Sequence, residues 1–180
     1  MTNIVTISGS LRKQSWNTAL LKACAALAPE GMKLSLYEGI GDLPHFNPEM
    51  DGDEAVAAVV SWREALRAAD AVLVCTPEYA AGVPGSLKNA LDWIVSSGEF
   101  LGKPTAVISA SPSAAGGEKA HASLLLTLNI MSARIPDGAS LRIPFISKKL
   151  DAQGGLTDPD MEKDLRLLLN ALSDAVSSPQ

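Results

Sequence analysis

The stretch Thr76-Pro-Glu-Tyr-Ala-Ala-Gly-Val-Pro-Gly-Ser-Leu-Lys-Asn-Ala-Leu-Asp-Trp93 holds a strand exit, a turn and a helix start in immediate succession. Ahead of it, Ala71-Val-Leu-Val-Cys75 is apolar throughout, as a strand buried on both faces of a parallel sheet must be. Pro77 drives Thr76 into an extended conformation and keeps the chain from passing straight into a helix. The backbone of Glu78, Tyr79 and Ala80 is therefore expected to lie unpaired, free to read the edge of a planar heterocycle. Gly82, Pro84 and Gly85 then form a turn, with Pro84 at the first helical position, where its missing N–H costs nothing. In the helix that follows, Lys88 and Asp92 share one face as a solvated ion pair, and Asn89 and Trp93 share another. Trp93 is expected in the core or at an interface.

Outward from this unit, short β-branched runs alternate with segments of helical period. The strands are expected at 4–7, 33–36, 71–75, 105–109 and 140–143, and the helices at 18–28, 54–69, 87–95, 117–132 and 158–176. Such alternation predicts a doubly wound α/β fold: a five-stranded parallel sheet with helices on both faces, since parallel strands require helical crossovers. With 180 residues, the whole chain is expected to form one domain. Residues 37–52 and 147–159 are long turn-rich connections, and 177–180 is expected to fray.

In such sheets ligands lie beyond the carboxyl ends of the strands. The first strand delivers Ser8-Gly-Ser-Leu-Arg-Lys-Gln-Ser-Trp-Asn17 to that edge. The hydroxyls of Ser10 and Ser15, the amide of Asn17, the Arg12 guanidinium and the free N–H groups of the next helix suit an anion. Each hydrogen bond to a charged phosphate contributes roughly 1.5–3 kcal/mol, so a few of them anchor a monophosphate. Ser15 or Asn17 serving only as an N-cap is the equally weighted alternative. The loop lacks both GxGxxG and GxxxxGK[ST], which argues against a dinucleotide cradle and against a P-loop triphosphatase.

Hydrophobic residues make up 47% of the chain and charged residues 19%, with a net charge of −5, values of an ordinary acidic globular protein. Without a long basic run, neither nucleic acid nor an anionic membrane is an expected partner. No uncharged apolar run approaches the roughly 18 residues of a membrane span, and the N-terminus lacks a leader pattern, so a cytoplasmic protein is expected. Cys24 and Cys75 lie far apart and read as buried free thiols. His45 and His121 have no ligands at metal spacing, and His121 is expected at the surface or an interface.

Gly-Ser-Leu-Arg-x-x-Ser-x-Asn at 9–17, followed by Pro-Glu-Tyr-x-x-x-x-Pro-Gly-x-Leu-Lys-Asn-Ala-x-Asp-Trp at 77–93, resembles the NAD(P)H-dependent FMN reductases. That family has a flavodoxin-like fold and includes chromate, quinone and azo-dye reductases. Ala110-Ser-Pro-Ser-Ala-Ala-Gly-Gly117 looks like the family's loop after the fourth strand. The resemblance implies that Ser10, Arg12, Ser15, Trp16 and Asn17 hold the FMN phosphate end. It also implies that Pro77, Glu78, Tyr79 and Ala80, with Ser111, Gly116 and Gly117, border the isoalloxazine. NADPH or NADH would be the co-substrate, small-molecule electron acceptors the oxidants, and a homodimer or homotetramer the assembly. Relatives commonly have Asn where this chain has Ala80, Arg where it has Leu125 and Gly where it has Ser113.

The implied reaction passes hydride from the nicotinamide through the flavin to a second acceptor, the cofactor supplying the reactivity. This accounts for the absence of an acid–base constellation in the sequence. The Gly116-Gly117 pair, opening a helix, is expected to aim N–H groups at the charge of the reduced flavin. A flavodoxin-type electron carrier and a phosphosugar- or nucleotide-binding module without flavin are the alternatives the same fold admits.

Overall fold

In a computed structural model, residues 1–52 and 56–178 are described. Five parallel strands, β1 (Thr2–Ser8), β2 (Met32–Tyr37), β3 (Ala71–Thr76), β4 (Thr105–Ala110) and β5 (Ser140–Ile143), lie in the order β2-β1-β3-β4-β5. The fold is flavodoxin-like. Every residue of β3 and β4 is buried, the consequence of two central strands covered on both faces.

Alternate side chains of the strands feed two cores. On one face Ile4, Leu73, Cys75, Ala106 and Ile108 meet α1 (Trp16–Leu27) and α5 (Pro159–Ser177) through Leu20, Cys24, Leu165 and Leu169. On the other, Ile7, Val72, Val74 and Val107 meet α2 (Ala57–Arg67), α3 (Gly85–Asp92) and α4 (Glu118–Ile130) through Trp62, Leu66, Leu91 and Leu124. Desolvation pushes the Cys24 thiol up to about 12 and raises that of Cys75 as well, so both behave as small hydrophobes rather than nucleophiles.

The expected strands and helices recur with end shifts. The expected start of the second helix at Glu54 lies outside the described residues, as do the last two residues of the tail. Pro84 stands one position before the helix, as N-cap of α3. Lys88 and Asp92 do pair, at 2.6 Å and exposed to solvent.

Asn89 and Trp93, along another face of α3, govern the long 38–52 connection. Asn89 Nδ2 and Trp93 Nε1 both donate to the Pro44 carbonyl, at 2.9 and 2.8 Å, and Asn89 Oδ1 accepts the Phe46 N–H at 2.8 Å. Phe46 packs edge-on against Trp93, with ring centroids 5.1 Å apart. Trp93 is fully buried, so of the two places expected for it, core or interface, it takes the core.

Nearer the end of this connection, Asp51 accepts from Arg63 Nη2 at 2.5 Å and from Ser96 Oγ at 2.6 Å. The Ser96 hydroxyl, and after it Arg63, holds the Asp51 carboxyl below the usual carboxylate range. Arg63 is itself almost buried and also donates to the Trp93 carbonyl at 2.7 Å.

Asn89→Ala removes two hydrogen bonds of roughly 0.5–1.5 kcal/mol each. Urea unfolding is expected to lose about 1–3 kcal/mol at an unchanged m-value, with limited proteolysis cutting faster between Pro44 and Asp51.

Candidate functional site

Because β1 and β3 are adjacent while β1 also pairs with β2 on its other edge, the chain reverses its strand order at the β1/β3 boundary. This is where a doubly wound sheet opens a crevice. The Gly9 N–H continues the ladder by donating to the Cys75 carbonyl at 2.8 Å. A Cβ at Gly9 would lie 2.8 Å from Thr76 Oγ1, so only glycine lets the two exits run this close.

The β1–α1 loop is braced internally. Ser8 Oγ meets Thr18 Oγ1 at 2.7 Å, and Ser15 Oγ accepts the Thr18 N–H at 3.3 Å as the N-cap of α1. The N-cap reading of Ser15 therefore holds, and its hydroxyl hydrogen remains to be donated. Asn17 is buried: its Oδ1 accepts from the Cys75 thiol at 3.2 Å and its Nδ2 donates to the Ala110 carbonyl at 3.4 Å. One amide thus ties the start of α1 to the ends of β3 and β4. Ser10, also buried, accepts the Arg12 N–H at 3.4 Å and meets Tyr79 Oη at 3.4 Å, joining the first loop to the second. The Arg12 side chain is exposed at the loop's edge.

After β3 the expectation of unpaired backbone fails at Tyr79. Tyr79 and Gly82 exchange both backbone hydrogen bonds, at 3.0 and 3.1 Å, around Ala80 and Ala81. These two alanines have φ of 48° and 59°, the left-handed region. A tight two-residue turn with both central residues at positive φ is the geometry that favours Asn and Gly. The physical reason for the correction is that so short a loop satisfies its own backbone by closing on itself. Two alanines held this way cost of order 1–2 kcal/mol apiece.

Glu78 supplies the link to the third loop. Its Oε2 accepts the N–H groups of Lys119 at 2.7 Å and Ala120 at 3.1 Å, in the first turn of α4. The carboxylate thus occupies two N–H groups of the first turn of α4, while in the Gly116-Gly117 pair ahead of it the Gly116 N–H donates to the Ser113 carbonyl at 3.3 Å. Gly117 is the N-cap of α4 at φ 78°, outside the helix rather than its first residue. A Cβ at Gly116, φ 60°, would lie 3.0 Å from Pro144 N, and Gly116 O accepts from Ser109 Oγ at 2.8 Å. Ser113 has no positive φ, and its hydroxyl meets that of Ser111 at 3.1 Å.

Three loops from β1, β3 and β4 thus enclose a cleft of about 80 Å³. Ser10, Arg12, Ser15, Trp16 and Asn17 line it from the first loop, Pro77, Glu78 and Tyr79 from the second, and Ser111 from the third. Ala80 stands exposed at the turn tip, and Gly116 and Gly117 lie buried behind the third loop. Ala110 and Pro112 also line the cleft, though nothing in their side chains marks them as ligand contacts. The cleft is the size of a phosphate group, at a helix N-terminus whose first N–H groups have no intrahelical acceptor. The Glu78 charge beside it is drawn off by α4.

His121 is not at the surface. It is buried, its Nε2 lies 2.8 Å from Ser140 Oγ, and its Nδ1 has no hydrogen-bond partner among the described residues. Burial, and then the Arg142 charge, lowers its pKa, so it stays neutral and belongs to the α4–β5 packing.

A flavodoxin-like sheet with a phosphate-sized cleft at its switch point defines a class of mononucleotide-binding proteins. Within that class, the family model described as NADPH-dependent FMN reductase matches residues 2–147. The NAD(P)H-dependent FMN reductase PA1204 of Pseudomonas aeruginosa is 36% identical over 171 residues, covering 94% of this chain and 92% of its own. A quinone reductase of Pseudomonas putida is 39% identical over 161 residues, covering 87% and 85% respectively. Among solved structures, the flavoenzyme NAD(P)H:(acceptor) oxidoreductase FerB of Paracoccus denitrificans superposes with a TM-score of 0.89 at 32% identity, over 99% of each chain. The chain belongs to the NADPH-dependent FMN reductase family. It is an oxidoreductase that works with FMN and a nicotinamide reductant, which disfavours the carrier and the flavin-free module.

Two substitutions test the local geometry. Glu78→Ala removes the cap of α4 and is expected to cost about 0.5–2 kcal/mol in urea unfolding, with amide exchange accelerated at Lys119 and Ala120. Ala81→Gly relieves a left-handed alanine and is expected to raise stability by up to about 1 kcal/mol, net of glycine's added chain entropy; thermal unfolding reads this out.

Proposed function

We propose that FMN lies across the three loops, its phosphate held by Ser10, Arg12, Ser15 and the first N–H groups of α1, with its ring system against Pro77, Glu78, Tyr79, Ala80 and the 111–117 loop. The observation that supports this most directly is the junction at the cleft, where Ser10 meets Tyr79 and Asn17 reaches Ala110 and Cys75. The phosphate seat and the two ring-bordering loops are thereby fastened to one another. The residues present fit the group: an acidic phosphate meets Arg12, two serine hydroxyls and a helix N-terminus, and the carboxylate lining the cleft, Glu78, is already spent on α4.

Bound FMN supplies acceptance and donation of hydride. The protein's own work is then positional. Arg12 and the α1 N-terminus offset the phosphate charge, and Ser10 fixes its orientation while bracing Tyr79. Glu78 holds the second loop against the third, so the walls of the site keep their spacing when a small molecule enters and leaves. No side chain with a proton to exchange is required among the residues lining the cleft. The exposed rim at Tyr79 and Ala80 leaves room for the reductant and then the oxidant on the same side, which makes ping-pong turnover the expected kinetics.

Quinones are the acceptor class we favour, on the strength of the quinone reductases among the relatives, with azo compounds, chromate or free flavin as further oxidants. No helix among the described residues is long and apolar enough to cross a membrane. We place the protein in the cytoplasm, working on small molecules rather than nucleic acid. A homodimer or homotetramer is the assembly we favour, supported by the exposed Leu126 and Ile130 on α4 and the exposed Leu101 nearby in the fold.

Purified protein mixed with FMN should turn yellow and be bleached by NADPH or NADH, then recover its colour on adding a quinone. Arg12→Ala is expected to raise the FMN Kd roughly 10- to 100-fold, the equivalent of one charged hydrogen bond, while flavin already bound is reduced at nearly the original rate. Unchanged affinity in a fluorescence titration would remove the phosphate from this loop.

A further inference from the structure

A larger concavity, of about 430 Å³, adjoins the cleft on the outer side of the β1–α1 loop. Its volume falls in the range of about 300–1,000 Å³ typical of small-molecule sites. One side is the outward face of α1 and its cap, Ser15, Thr18, Ala19 and Lys22, at the spacing that places side chains on one helical stripe. The facing wall is the turn Asp151–Gly154, closed by the bridge between Leu150 and Leu156. Gly154 has φ +85°, and a Cβ there would lie 3.3 Å from Ala19 Cβ, so this turn packs directly on α1.

The charge of this groove runs against that of the protein. In a chain of net charge −5, the lining brings together Arg12, Lys13 and Lys22 with a single carboxylate, Asp151. Asp151 Oδ1 already accepts the Gln153 and Gly155 N–H groups, at 2.8 and 2.7 Å. Trp16 adds a half-buried indole, and Gln14 and Gln153 add amides that both donate and accept. Arg12, Ser15 and Trp16 line both the groove and the cleft, so the groove opens at the phosphate seat itself.

We propose that this groove is an adenine-nucleotide subsite, taking the adenosine-phosphate half of a dinucleotide whose other half engages the flavin site. The proposal rests on the reading that the FMN phosphate sits at Ser10, Arg12 and Ser15. Lys13 and Lys22 meet phosphate, Trp16 offers an aromatic face to a flat base, and the glutamine amides match the donors and acceptors on a purine edge. Two molecules carry this half: NAD(P)H, reaching the groove from the ring end of the site, and FAD, entering it directly through its pyrophosphate.

The test is calorimetric titration of FMN-loaded protein with 2′,5′-ADP, comparing the native sequence with the double variant Lys13→Ala/Lys22→Ala at low ionic strength. Binding to the native protein, weakened roughly tenfold in the variant, is expected for two partly exposed charge contacts. The FMN Kd of the same variant should not change. A KM for NADPH that rises in the variant with kcat unchanged assigns the groove to the reductant. An FAD affinity that falls relative to FMN, with that KM constant, assigns it to FAD. Failure of the native protein to bind 2′,5′-ADP, or equal binding by both proteins, overturns the subsite. Loss of the phosphate seat itself would show separately, as an Arg12→Ala protein with native FMN affinity.

Discussion

The side-by-side exit of β1 and β3 is the constraint on which everything at the functional edge depends. Parallel pairing brings Ser8 level with Cys75, and the Gly9 N–H carries the ladder one step past the strand. At that point the backbones are so close that a side chain on Gly9 would strike Thr76. The β1–α1 and β3–α3 loops therefore begin in contact, and a ligand large enough to touch one touches the other. A sheet with its strands in sequential order would separate these exits and have no such crevice.

Polar groups then fasten the loops together instead of pointing into solvent. Asn17 binds the ends of β3 and β4, Ser10 meets Tyr79, and Glu78 crosses to the first turn of α4. Each bond satisfies a buried or half-buried group that would otherwise be costly to leave unpaired. Together they make a cleft whose walls are set before any ligand arrives, which is the protein's share of the work when the cofactor brings the reactivity. Strain at Ala80 and Ala81 is concentrated at the same rim.

The other core face plays a supporting role with different means. Asn89, Trp93 and Arg63 draw the 38–52 connection down onto α2 and α3 through backbone carbonyls and Asp51. This connection flanks the first loop, where Gly41 lies against Leu11, so its anchoring restrains the outer margin of the site. Family membership and the close superposition on FerB accord with this architecture, and Leu125 lies half-buried on α4 against the core.

The sequence by itself determined the strand and helix alternation, and with it the sheet, because buried parallel strands and amphipathic crossovers leave periodic apolar patterns. It also determined the composition of the β1–α1 loop and the Pro-Glu-Tyr signature, which are contiguous and so readable in one dimension. Only the tertiary structure decided what those residues touch. Nothing near Glu78 in the chain announces that its carboxylate caps α4, whose first turn lies some forty residues further along. Tyr79 reads as free backbone until Gly82 closes the turn, and His121 as surface or interface until the packing of α4 beside Ser140 buries it. Likewise Arg12, Lys13 and Lys22 form no run long enough to mark a basic patch, and they face Asp151 and Gln153 only because α5 packs beside α1. Local propensity is written along the chain, whereas charge compensation and hydrogen-bond partnership depend on distances that only packing sets.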